Sequence, residues 1–524
     1  MTRDKSAGKA ARAAAIILAL AGIGVFTYYA KELFCQYPPV WPDEALYADP
    51  AINLIRRGTM GMSVLAGSLA GIGEHTYLSL PLYYLYLAGV FGIFGVSLIV
   101  LKLSSLAAAV AVMLLTYWLG VRSGLGRWFS LVPVSMLTVD AVFLRGALIG
   151  RMDMLTLALI LLSLVLATDL GNAADAPKYR RAFLTGVVCA LATLTHPLGA
   201  ASAIGLLGAI VLRSPRTARR RMLLAAAGGL ILPFLAWGVY ILQDPRSFIA
   251  QFGTNIMKKQ VGVFTGVVVS MGQYGLPLGI VAALAWLIGL AGLWLAARRS
   301  GELLALPLCQ LPLLLATAAG EMWYPLYLCP LTAIGVCYFL LRLGERKISE
   351  QSAVAVLALA VVVSLAAGNL RRLHALSLSR FPAQTTALAS YTAWCRAISA
   401  QLPPSSTVTL TIIPDPYFGL VDRRDLVLRE FVHERLPFDR GEYLRHLSES
   451  DYIIVRNDEQ GLVGRFAESH GDLIATIQAP IPGHHFARIF QIRKAGTAAP
   501  EPRFIAPRVM DPGVQSIGTA KGVR

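Results

Sequence analysis

Charge is what this chain of 524 residues has least of: Asp, Glu, Lys and Arg make up 15% of it. A chain so poor in ionisable side chains cannot clothe itself in a solvated surface, which excludes an ordinary water-soluble fold for most of its length. Cysteine is sparse as well. Cys35, Cys189, Cys309, Cys329, Cys337 and Cys395 show no metal-ligand or redox spacing, and most lie inside apolar runs as small hydrophobes. Neither a disulfide framework nor a zinc site is implied. No stretch repeats at a fixed period. A cleavage site is missing too: the run at 12 to 30 follows the basic start MTRDKSAGKAAR and continues into YYAKELFCQ without a small-x-small step. It reads as a retained membrane anchor rather than a signal peptide.

What is abundant is apolar. The chain is 56% hydrophobic with a mean hydropathy of +0.60, and the apolar residues come in runs long enough to cross a hydrocarbon core. This predicts an α-helical polytopic membrane protein. The formal charge of +17 sits in short clusters between the runs, where it sets orientation and calls for no nucleic-acid partner. Apolar segments fall at 12–30, 78–94, 98–120, 128–144, 154–169, 182–195, 197–212, 222–242, 274–297, 303–319, 324–341 and 353–368. If all crossed with the N-terminus cytoplasmic, the clusters Lys178/Arg180/Arg181, Arg213 to Arg221, Arg298/Arg299 and Arg342 to Lys347 would face outward. That inverts the positive-inside bias. The segment at 78–94, LSLPLYYLYLAGVFGIF, has an early Pro81, many tyrosines and no basic loop after it, and is expected to lie at the interface instead. About eleven spans remain, with every cluster inside and the C-terminus outside.

After residue 369 the composition becomes that of a soluble chain. Strand-like STVTLTII (405–412), YIIV (452–455) and ARIFQI (487–492) alternate with helical stretches such as ALASYTAWCRAISA (387–400). The pattern predicts a membrane domain over 1–370, a small extracytoplasmic α/β domain over 371–495, and a Gly-, Ala- and Pro-rich tail over 496–524 read as disordered.

The same topology gathers polar residues on the outer face: Asp43, Glu44, Glu74, His75, Arg151, Asp153, His196, Lys258, Lys259 and the EMWY stretch at 321–324. Within VWPDEALYADPAINLIRRG (40–58) the adjacent carboxylates Asp43 and Glu44 follow a proline, as acidic residues do in the first turn of a helix, where they complement its dipole. A carboxylate at a membrane surface among loops that supply cations is also what a transferase needs to take an acceptor proton while a phosphate leaving group is stabilised nearby.

The DEALYA motif, in the first external loop after the first membrane helix, resembles the Asp-Glu motif of the GT-C glycosyltransferases that use polyprenyl-phosphate sugars. Within them it is most similar to the bacterial branch of lipid A aminoarabinose transferases and Rgt-type sugar transferases and, more distantly, to protein O-mannosyltransferases. The resemblance covers about residues 12 to 370. GEHTYLSLPLYYL (73–85) stands where such proteins have an acidic-Lys-Pro segment, RGALIGRMDMLTLAL (145–159) resembles their second external loop, and WYPLYLCPL (323–331) their late Tyr-x-x-Pro pattern. The resemblance implies Asp43 and Glu44 as catalytic carboxylates, Asp153 approaching the same cavity, and a divalent metal ion on Asp43 and Asp153. It implies as partners a polyprenyl-phosphate-linked sugar donor, a lipid, glycan or protein acceptor, and membrane lipids, in a bacterial-type inner membrane. The pattern departs at the phosphate position, where His75-Thr76 replaces Lys-Pro. A histidine of reference pKa about 6.5 is a weaker phosphate ligand near neutral pH, which leaves Arg151, Lys258 or Lys259 to compensate.

Each companion residue also fits a plainer role: Arg151 and Asp153 a surface pair at a helix end, His196 before Pro197 a helix cap, Lys258 and Lys259 a solvated loop, and Tyr324 and Tyr327 an interfacial belt. The expected function is an inverting glycosyltransferase whose substrate-binding residues are His75, Arg151, Asp153, His196, Lys258, Lys259 and Tyr324. The rival is a transporter or lipid flippase, which would place its charges near span midplanes rather than at external ends.

Overall fold

The computed structural model describes residues 3–168, 170, 179–257, 263–344, 349–378, 387–430, 440–456, 461–478 and 486–494. Lys258, Lys259 and the tail expected over 496–524 lie outside the described residues. The apolar runs fold as helices because a backbone in hydrocarbon must satisfy its own N–H and C=O groups. In order they are α1 (Arg3–Leu33), α2 (Pro42–Arg57), α3 (Leu82–Phe94), α4 (Leu98–Gly120), α5 (Leu131–Thr138), α6 (Ala141–Leu148), α7 (Asp153–Ala167) and α8 (Tyr179–Thr195). They continue as α9 (Ala200–Arg213), α10 (Arg216–Ile241), α11 (Pro245–Met257), α12 (Val263–Gly272), α13 (Leu276–Arg299), α14 (Ala305–Ala316), α15 (Pro325–Gly344) and α16 (Ser349–Leu378).

Among the described residues, 7 helices are long and apolar enough to cross a membrane, or 8 if the bent pair α5 and α6 counts as one span. Helices α3, α7 and α9 are all shorter apolar helices; the expected count of about eleven includes the last two and leaves out the first. Helix α3 has 13 residues, a rise of about 20 Å, short of the ~30 Å of hydrocarbon. The run at 128–144, expected as one span, is instead broken by 72° between α5 and α6. The break has a local cause: Asp140 Oδ1 accepts hydrogen bonds from the N–H groups of Val142 and Phe143 at 2.8 and 2.9 Å and so starts a new helix inside the apolar run.

The C-terminal domain adds α17 (Ala387–Ser399), β1 (Thr407–Leu410), α18 (Tyr417–Leu420), β2 (Val427–Glu430), α19 (Arg440–Glu449), β3 (Tyr452–Arg456), α20 (Leu462–His470), β4 (Gly471–Gln478) and β5 (Phe486–Ile492). The strands form one sheet in the order β2-β1-β3-β5-β4. β1 runs parallel to β2 and β3, and β5 antiparallel to β3 and β4. Helix α16 continues past residue 370 to Leu378, so the change in composition falls within a helix.

This domain is welded to the membrane domain rather than tethered to it. One apolar core takes in Ala48 and Ile52 of α2, Tyr84 and Leu87 of α3, and Val408, Leu410 and Ile454 of the sheet. The carboxyl ends of the parallel strands face α2. The Asp415 N–H donates to Val40 O at 2.9 Å, the Tyr417 hydroxyl to Asp49 at 3.1 Å, and Arg56 to Val421 O at 3.2 Å. Beside this seam the buried Asp415 and Glu430 carboxyls lie close enough to influence each other. Burial pushes Asp415 up to about 7, and burial together with the Asp415 charge pushes Glu430 well above the ordinary carboxylate range.

Candidate active site

The site is assembled where the first turn of α2 meets the turn between α6 and α7. Pro42 opens α2 with its fixed φ, a good first helical position because its missing N–H has no intrahelical partner there anyway. Asp43 and Glu44 follow in the first turn, and the two carboxylates then part company. The Asp43 side chain is 32% exposed and is paired with Arg151. Glu44 is wholly buried against Lys102, 3.2 Å away.

Arg151 lies between two carboxylates. One terminal nitrogen meets Asp43 Oδ2, and its Nε donates to Asp153 Oδ2 at 2.9 Å. Its guanidinium carbon lies 4.4 Å from the centre of the Trp323 ring, with Arg145 against the same indole at 4.1 Å. Asp153 takes a second hydrogen bond, at 3.0 Å, from the Tyr327 hydroxyl. Tyr327 is therefore a buried partner of the acidic cluster and not the interfacial belt residue expected from sequence. The His196 ring stacks on Tyr327 at 5.6 Å and meets Tyr324 edge-on at 5.8 Å. His196 Nδ1 accepts the Leu198 N–H at 3.1 Å, so the cap role holds and leaves a ring proton for Nε2.

Asp43, Arg151, Asp153, His196 and Tyr324 are thus brought together through Trp323 and Tyr327. His75 stands elsewhere, at the polar end of a groove of about 570 Å³ lined by Leu54, Leu82, Leu85, Leu191, Leu194 and Trp237 among others. Its Nε2 is 3.1 Å from Gln243 Oε1, and its ring packs beside Tyr240 and Tyr77. The loop that carries it is pinned by buried Gln251. That amide donates to Ala70 O at 2.8 Å and His75 O at 3.1 Å and accepts the Tyr77 N–H at 2.7 Å. In sequence, Leu194 of the groove wall lies two positions before His196.

The carboxylates that a divalent ion would use, Asp43 and Asp153, are bridged by the Arg151 guanidinium. Among the described residues no group of three or more His, Cys, Asp or Glu side chains is placed to hold a metal. The donor set does not fit a resident ion, and no step below passes through one.

Sequence reading missed Lys102, Arg145 and Gln243. The signal for Lys102 was available: it is an ionisable side chain within the apolar run of a membrane helix.

No protein-family profile matches the chain, and no curated protein matches it. Among solved structures it is similar to ArnT from Cupriavidus metallidurans bound to undecaprenyl phosphate, with a TM-score of 0.58 and 14% identity over 93% of this chain and 99% of that one. The apo state of the same protein gives a TM-score of 0.56 and 14% identity over 92% and 98%. An oligosaccharyltransferase from Archaeoglobus fulgidus tethered with an acceptor peptide gives 0.49 and 11% identity over 89% and 74%.

Proposed function

We propose that this chain, which has the GT-C fold, is a membrane glycosyltransferase that moves a monosaccharide from a polyprenyl phosphate to an acceptor on the extracytoplasmic face. The membrane is of the bacterial inner type, with the N-terminus cytoplasmic. The observation that carries the reading is the condition of Asp43: a carboxylate clamped on one side by Arg151 and still a third open on the other, with the Trp323 ring against the clamping guanidinium. A helix-start residue has no need of that clamp.

In the proposed reaction an acceptor oxygen attacks C1 of the sugar as the bond from C1 to the phosphate oxygen breaks. The bond's electron pair leaves with the polyprenyl phosphate, and the configuration at C1 inverts. Where the acceptor is a hydroxyl, its proton passes to Asp43. Where it is an anionic phosphate, Asp43 orients it. Arg151 keeps Asp43 aimed, and Asp153, held by Tyr327, keeps Arg151 in its plane. His196 and Tyr324 face the sugar. The lipid tail lies in the groove with its phosphate towards His75 and Gln243, and Lys258 and Lys259, which follow α11 in sequence, add positive charge. A divalent ion between Asp43 and Asp153 would first have to displace Arg151.

The test uses the full chain in vesicles containing undecaprenyl phosphate charged with radiolabelled sugars, with envelope lipid and glycan acceptors supplied outside. Loss of label from the donor pool, dependent on the protein, is expected. Donor that stays intact across hexoses and pentoses, with every acceptor offered, would sink the proposal.

A further inference from the structure

We propose that Lys102 is a positioning residue for the acidic pair, acting through Glu44; the inference rests on the transferase reading above. Lys102 sits near the start of α4 between Leu101 and Leu103, and its side chain is 0% exposed. An ammonium in that place is costly unless both its charge and its protons are satisfied. Its Nζ lies 3.2 Å from Glu44 Oε1 and donates to Leu148 O at 2.8 Å. That carbonyl belongs to the last residue of α6, an end where a cation is favoured.

Glu44 completes the knot. Its Oε1 accepts the Gly150 N–H at 2.8 Å, and its Oε2 accepts the Trp41 N–H at 3.0 Å. The pair therefore ties the entry to α2, α4 and the turn after α6 to one point. Asp43 is the residue before Glu44, and Arg151 the residue after Gly150. The meeting of Asp43 with Arg151 is thus fixed one residue away on each side, by a wholly buried pair.

Gly150 adds an independent sign that the fit is tight. A Cβ placed there would lie 2.3 Å from Leu101 Cγ, on the residue that precedes Lys102. The turn rests directly on α4, and any relaxation of the pair is passed to Arg151.

The test compares wild type, Lys102→Met, Glu44→Asp and the double variant Lys102→Met/Glu44→Gln, all full length in nanodiscs. Amide hydrogen exchange is followed in the peptide spanning 149–152 together with kcat and donor KM. Lys102→Met is expected to speed exchange at Gly150 by at least about 10-fold. Its kcat should fall about 10- to 100-fold, as for a small misplacement of reacting groups, with donor KM within about twofold. The double variant leaves no unpaired charge and keeps an acceptor for the Gly150 N–H, while its single amide oxygen gives up the Trp41 N–H, so exchange and kcat should each recover at least about threefold from the Lys102→Met values without reaching wild type. Glu44→Asp covers the case in which Lys102→Met does not accumulate. It keeps the ion pair but is one methylene too short to hold both N–H groups, and should loosen Gly150 and lower kcat in the same way. Unchanged exchange in the folded variants overturns the proposal whatever the transfer result, and so does lost yield with wild-type kcat per folded molecule. Wild-type protein that transfers no sugar, while Lys102→Met still loosens Gly150, overturns the transferase reading alone.

Discussion

Replacing Asp43 by Asn separates a structural carboxylate from a chemical one. The structural cost can be worked out from the site. Asp43 is the second residue of α2 and not its cap, since the cap position is Trp41, which makes no side-chain cap hydrogen bond. Its service to the helix is therefore the dipole contribution, about 0.3–1 kcal/mol. The ion pair with Arg151 adds little more than about 1 kcal/mol, because the Asp43 side chain is about a third exposed and such pairs are screened. Arg151 also keeps Asp153 at 2.9 Å after the change. The variant should insert, accumulate and melt within a few degrees of wild type. The chemical cost is larger. Losing a general base slows a reaction about 10²- to 10⁴-fold, and 10²-fold alone is about 2.7 kcal/mol of barrier. Initial rates of label transfer from polyprenyl-phosphate sugar to a hydroxyl acceptor, normalised to folded protein, should fall at least about 10²-fold. A rate within about threefold of wild type would refute the assignment of Asp43 as the base.

The docking seam should respond to pH. Asp415 and Glu430 hold protons in the fold that they would release when unfolded at neutral pH. Stability from the seam is therefore full below about pH 4 and is lost as pH rises through about 7. Protection from hydrogen exchange across 40–56 and 407–430, taken relative to the intrinsic rate at each pH, should fall over that window in wild type and change little in Asp415→Asn/Glu430→Gln. Chelation is the next check: treatment with EDTA should leave transfer within about twofold of the untreated rate, and a loss restored by added divalent ions would show that Arg151 yields its place to a metal. His75→Lys should keep the contact to Gln243 and lower the donor KM several-fold through a permanent charge. A KM raised more than about tenfold would show that a neutral imidazole is wanted at that position.

The fold was legible where the signal is long and repeated. Membrane helices announce themselves by apolar length. The α5/α6 break did not, because one Asp in an apolar run reads as a tolerated exception until its side chain is seen capping Val142 and Phe143. In the sheet, β1, β3 and β5 were visible as β-rich runs. β2 was not, since its four residues, Val427–Glu430, include Arg429 and Glu430. β4 is an edge strand whose first residue, Gly471, directly follows α20, with no loop between them to mark it off. At the site, Asp43, Arg151 and Asp153 were found because topology placed them on one surface. The contacts of His75 with Gln243, and of Tyr327 with Asp153, join residues 168 and 174 positions apart, and no local pattern carries such a pairing.

The common core of α2, α3 and the C-terminal sheet makes the domain part of the floor on which Asp43 stands. A chain ending after Leu378 would leave Ala48 and Ile52 facing water and strip Asp49 of the Tyr417 hydroxyl. The loss would fall on the helix that carries the acidic pair. Such a domain is not a cassette. It cannot be exchanged between proteins, or fused to a new partner, without recutting the helix beneath it.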